Sequence, residues 1–152
     1  MAETAAIQFV EVMLQRTDQQ TRDILATYSP GAEVDSINVI IGDGVAVIVA
    51  GVAAVLRVDF RARLSGAFLQ EFDGTSGSVA VAVARSVGGA APSWATISSG
   101  LAISSGRYFA DETLSTWPDT YIDRGDYLRF SVTSATTIKR VHVGLRVRRL
   151  EP

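Results

Sequence analysis

The sequence predicts an all-β fold, an antiparallel jelly-roll-like β-sandwich preceded by a short N-terminal helical segment. Three observations carry that expectation. From Ser36 onward apolar residues recur with a period of two, as they do in strands with one face in a core. Gly- and Asp-containing turn sequences separate these runs. No helix-period pattern intervenes between them, which argues for antiparallel sheets and against an α/β fold. The 152 residues suffice for one ordinary domain and not for two full ones. With 47% hydrophobic, 8% aromatic and 20% charged residues, and with 20 Ala and 18 Val, the apolar mass comes mainly from small and β-branched side chains.

Residues 1–35 differ from the rest. They hold six acidic and two basic residues, a net charge of −4, whereas the remainder sums to +2. Up to Tyr28 there is no Gly or Pro, residues such as Gln15, Gln19, Arg22 and Leu25 favour helix, and Ser29-Pro30-Gly31 stops it. A heptad started at Ile7 places Ile7, Val10, Leu14, Thr17, Thr21 and Ile24 on its seam, four of six apolar, and three weak heptads are too few for a stable isolated coiled coil. Phe9, Val12 and Met13 are apolar off that seam. Three readings stay open: a helix packed on its own domain, an attachment or oligomerisation segment, or a strand-like arm over residues 7–14. In the second, Ile7, Phe9, Val10, Met13 and Leu14 make the contacts. Thr17 with Gln20 fits a capping box, a second helix start.

The sandwich is expected over residues 36–152. The most apolar run, residues 45–56, contains Gly51 and is too short for a membrane helix of about 20 residues, so it reads as buried sheet. Val79, Val81 and Val83 alternate with Ala80, Ala82 and Ala84, a second face too small for ordinary solvent exposure that suits another layer or a neighbouring subunit. Leu128, Phe130 and Val132 form the next alternation. Val141, Val143, Leu145 and Val147 form the last, with Arg140, His142, Arg146 and Arg148 on the other face. Residues 124–152 carry a net charge of +5, which fits a solvated or intersubunit face better than an anionic ligand. Turns are expected at Gly42-Asp43-Gly44, Asp73-Gly74, Gly88-Gly89 and Arg124-Gly125-Asp126.

Composition excludes several function classes. A net charge of −2 and a pI near 5.3 point away from nucleic acid, and no aromatic residue interleaves with the C-terminal arginines. Without cysteine there is no disulfide framework, thiolate zinc site or cysteine nucleophile. The first residues lack the basic and apolar regions of a secretory signal, so a soluble, cytoplasmically made chain with no membrane partner is expected.

Catalytic signals are weak. His142, the sole histidine, lies between Val141 and Val143 with no serine elbow or metal-ligand spacing, and reads as a surface residue. Asp119, Asp123 and Asp126, and the pair Asp111-Glu112, suit backbone capping in turns better than calcium or glycosidase chemistry. Residues 88–92 are Gly-rich but lack the lysine of a phosphate loop. Trp94 and Trp117 are candidate glycan contacts, although Trp117 beside Pro118 suits a plug at the end of a sandwich. The expectation is a protein without enzymatic activity, metal or cofactor.

Several blocks together are distinctive. Ile37 through Gly44 with Gly51, then Ser76-Gly77-Ser78-Val79-Ala80-Val81, Leu114-Ser115-Thr116-Trp117, Arg124 through Val132, and Thr133-Ser134-Ala135-Thr136-Thr137-Ile138-Lys139-Arg140-Val141 leading to Leu145-Arg146-Val147, occur in this order over residues 37–149. This series resembles a β-sandwich module at the ends of tailed-bacteriophage fibre and minor virion structural proteins. The resemblance implies display, attachment or adsorption on a virion surface and carries no catalytic residues. Since only residues 1–35 precede the module, it implies a head decoration protein or short head fibre docked on other virion proteins, such as the major capsid protein. A tail fibre or baseplate adsorption protein binding host surface polysaccharide is the alternative. The apolar content beyond one core suggests a homo-oligomer, expected to be a trimer.

Overall fold

The computed structural model describes residues 34–150, and the alternations read from the sequence become strands there. Ten strands follow in order: β1 (Val34–Ile41), β2 (Gly51–Arg57), β3 (Ala62–Gln70), β4 (Gly77–Val87), β5 (Ala95–Thr96), β6 (Ala102–Gly106), β7 (Tyr108–Asp111), β8 (Tyr121–Ile122), β9 (Asp126–Thr136) and β10 (Val141–Arg149). They build two antiparallel sheets. One runs β1-β10-β3-β7, with β8 on the same edge of β3 as β7; the other runs β2-β9-β4-β5, with β6 sharing the β4 edge. There is no helix among the described residues, and none long and apolar enough to cross a membrane. The segment expected to be helical, with Ile7, Phe9, Val10, Met13 and Leu14 and the capping box at Thr17, lies outside the described residues. β1 begins at Val34, two residues before the expected boundary.

The core forms where the alternation predicts. Val141, Val143, Leu145 and Val147 of β10 are fully buried, as are Leu128 and Phe130 of β9 and Val83 of β4. These side chains join Leu64 and Leu69 of β3 in a single hydrophobic cluster fed by both sheets, the arrangement of a β-sandwich. Trp117 belongs to that cluster and is 7% exposed. On the Ala side of β4, Ala84 is buried within the chain, and Ala80 and Ala82 are half-buried.

The expected turns form. Gly42, Gly44, Gly74, Gly89 and Gly125 all take positive φ. At Gly42 the need for glycine is doubled, because a Cβ would collide with the carbonyl oxygen of Lys139.

One expectation is corrected. Residues 45–56 are not buried sheet. Residues 45–50 form a loop between β1 and β2, and Val45 and Val49 are exposed at 76% and 82%, with Val47, Val52 and Val55 also exposed. Only Ile48 of that loop turns into the core, held by its backbone N–H donating to the Ile138 carbonyl at 3.0 Å. The cause is topological: residues 45–50 are the connection that crosses from the first sheet to the second, and among the described strands β2 pairs only with β9, at the edge of its sheet.

Candidate functional site

Cross-strand register collects an aromatic surface on the outward side of the first sheet. Because Val39, Ile41, Val141, Val143, Ala67 and Leu69 face the core, the intervening residues of β1, β10 and β3 point away from it. Ile40, His142, Gln70 and Tyr108 therefore lie in one row across four strands, and Asn38, Gly144, Phe68 and Ala110 in the next. Ser36, Arg146 and Gly66 make the third row. Gly144 has a reason to be glycine, since a Cβ there would run into the Phe68 ring, which lies across it.

The rings pack around His142. Its ring is 5.3 Å from that of Phe68, edge to face, and 6.0 Å from that of Phe72. Phe72 is 68% exposed and Tyr108 59%, large values for side chains of this kind. A concavity of about 650 Å³ opens here, with Gly66 and Phe68 among its lining and Tyr108, Phe72, Glu112 and Arg146 around it. A smaller one of about 240 Å³ adjoins it between Ile40, Phe72 and Arg140.

The polar groups at this surface are held by other polar groups. Asn38 Nδ2 donates to Ser36 Oγ at 2.8 Å, and Asn38 Oδ1 lies 3.1 Å from His142 Nε2. Arg146 Nη1 donates to Glu112 Oε1 at 2.7 Å. Gln70 Nε2 donates to the carbonyls of Glu71 and Arg107, which fixes the amide and keeps its oxygen as an acceptor.

Phe72 owes its position to a buried carboxylate. Glu71 is fully buried, and its two oxygens accept the backbone N–H groups of Asp73, Gly74 and Thr75 at 2.8 to 3.0 Å and Arg107 Nε at 3.0 Å. Four donors compensate the burial of one charge and lock the turn that carries Phe72. Asp73 in the same turn accepts Arg140 Nη2 at 2.6 Å. That hydrogen bond, and then the carboxylate's charge, hold the Arg140 guanidinium above its ordinary value.

The other sequence candidates are dispersed. Asp126, nearly buried, accepts Arg85 Nη1 at 2.9 Å and the Asp123 N–H at 2.8 Å, and Asp119 takes Arg85 Nη2 at 2.9 Å. These carboxylates answer an arginine, and no group of three or more metal-ligating side chains occurs among the described residues. Asp111 caps the N–H groups of Thr113 and Leu114, where Leu114 takes a positive φ of 53°. Trp94 lies on the second sheet with the Arg129 guanidinium 4.6 Å from its ring centroid. Trp117 lines a separate concavity of about 470 Å³ with Arg63, Thr113 and Arg148. That concavity shares no lining residue with the one at the aromatic surface. On the basic face of β10 Arg146 meets Glu112, and at the end of the strand Arg149, on the other face, meets Asp35 at 3.3 Å and stacks on Phe60.

Phe68, Phe72 and Tyr108 were not singled out by sequence. The one available signal was Phe68 beside Leu69, two large apolar residues in succession in a strand, of which one must face outward. No protein-family model matches the chain, and no curated protein matches it either.

Proposed function

We propose that this chain is a non-enzymatic structural protein displayed on a bacteriophage particle, a head decoration protein or short head fibre docked through its N-terminal segment. The observation that carries the reading is the strand order. β1-β10-β3-β7 lies against β2-β9-β4-β5: the first four strands alternate between the sheets, β5 and β6 stay beside β4, β7 and β8 return to β3, and β1 and β2 each pair with one of the last two strands. This order supports the jelly-roll reading, an architecture used by viral capsid and lectin domains. It joins the resemblance over residues 37–149 to virion modules. Immunogold labelling of intact particles tests the reading. Labels on the head in tens to hundreds of copies are expected, and labels confined to the tail tip would reject it.

The aromatic surface favours a second reading, a tail fibre or baseplate protein that binds host surface glycan. Exposed rings beside fixed hydrogen-bonding groups suit a ligand that is apolar on one side and polar at its edge. Antibody against the chain then blocks attachment of particles to host cells; attachment at the rate of untreated particles would count against this reading.

A further inference from the structure

We infer that the concavity on the outward side of the first sheet is a binding site for a neutral saccharide, with Phe72 and Tyr108 as its stacking rings. The inference deepens the adsorption reading and rests on it for the source of the saccharide. About 650 Å³ is within the size range of small-ligand sites. A pyranose offers C–H groups on its faces and hydroxyls around its rim, and the site has the matching parts. Phe72 and Tyr108 supply exposed ring faces. Gln70 and the Arg146–Glu112 pair supply acceptors and donors already fixed by bonds of 2.7 to 3.2 Å.

Charge narrows the class. Of the lining charges, Glu112 is paired to Arg146 and Asp35 to Arg149, and neighbouring Arg140 is paired to Asp73. A surface with this balance gives no net attraction for a polyanion, which disfavours uronic-acid glycans and nucleic acid. Rigidity supports binding over casual exposure. The Phe72 turn is tied by Glu71, and Tyr108 sits in β7 opposite Gln70, so the backbone that carries both rings is already ordered when a ligand arrives.

Isothermal titration of the full chain with maltohexaose, cellohexaose, mannohexaose and, as the anionic comparison, hexagalacturonate tests the site. At least one neutral hexasaccharide is expected to bind. Phe72→Ala and Tyr108→Ala each weaken it about tenfold or more, while Tyr108→Phe retains it and Trp94→Ala, on the other sheet, leaves it unchanged. Both alanine changes are at exposed positions, and an unaltered circular dichroism melt shows that the fold persists. The site is overturned if no neutral hexasaccharide binds at millimolar concentration, if only the anionic one binds, or if both alanine variants bind normally. It is also overturned if sedimentation shows that the same variants dissociate an oligomer, which assigns this face to a second copy. Absence of saccharide binding with continued antibody blockade of attachment would reject the site and leave the adsorption reading standing.

Discussion

Glu71 is the residue on which most local structure converges. Removing its carboxylate leaves three backbone N–H groups and Arg107 without their acceptor, each lost partner costing about 1–3 kcal/mol before water compensates. Glu71→Ala is therefore expected to lower unfolding free energy by about 3 kcal/mol, with Glu71→Gln losing less, as read from the urea midpoint at unchanged slope. Asp43 and Asp111 act differently. Each accepts two backbone N–H bonds in a tight turn, which holds its carboxyl below the ordinary value of 3.8. A lowered folded pKa means that the ionised form contributes stability above about pH 3.8, and that this stability is lost as pH falls through the lowered value. The urea midpoint is expected to hold down to about pH 4 and decline below it, and Asp111→Asn should decline less over the same interval. The capping role of Asp111 was readable from its place in a polar turn sequence. The burial of Glu71 was not, because the sequence Gln70-Glu71-Phe72-Asp73 gives no sign of which side chain turns inward.

At the scale of elements, legibility followed regularity. β4, β9 and β10 are eleven, eleven and nine residues long, and their alternation over residues 79–83, 128–132 and 141–147 states which face is buried. β5 and β8 have two residues each and no pattern to read, since they exist through pairing to β4 and β3. Residues 45–56 show that hydrophobicity alone does not dictate burial, since residues 45–50 form a loop and β2 lies at a sheet edge. The aromatic surface was illegible for a related reason: its rings come from β3, β7 and the turn after β3, and only the register brings them together. Two substitutions test this packing. Phe130→Ala, at a fully buried position of β9, is expected to cost about 3–5 kcal/mol by thermal or urea unfolding. Gly144→Ala is expected to cost about 1–3 kcal/mol by forcing the Phe68 ring off β10. Near-ultraviolet circular dichroism should change with it, and an unchanged spectrum and midpoint would show that the ring moves freely.

For the whole molecule, the trimer expected from sequence predicts a sedimenting species of three times the 16.2 kDa chain mass. Charged substitutions such as Val52→Lys, at an exposed edge position, test whether the valine-rich edge takes part in that assembly. If it does, the monomer accumulates with its melting temperature little changed; a trimer that persists would move the contact elsewhere. The pairing of β1 with β10 and of β2 with β9 has another consequence, one of timing. As the chain leaves the ribosome, β1 and β2 have no partner among the described strands until the last two have been made. The middle can assemble early, β3 with β7 and β8, and β4 with β5 and β6. Closure waits for residues near the C-terminus, and until then the valines of residues 45–55 belong to an unpaired segment exposed to other nascent chains. A stop codon before residue 141 would thus leave β1 with no strand to pair with as well as deleting β10, so the smallest foldable product is nearly the whole sandwich.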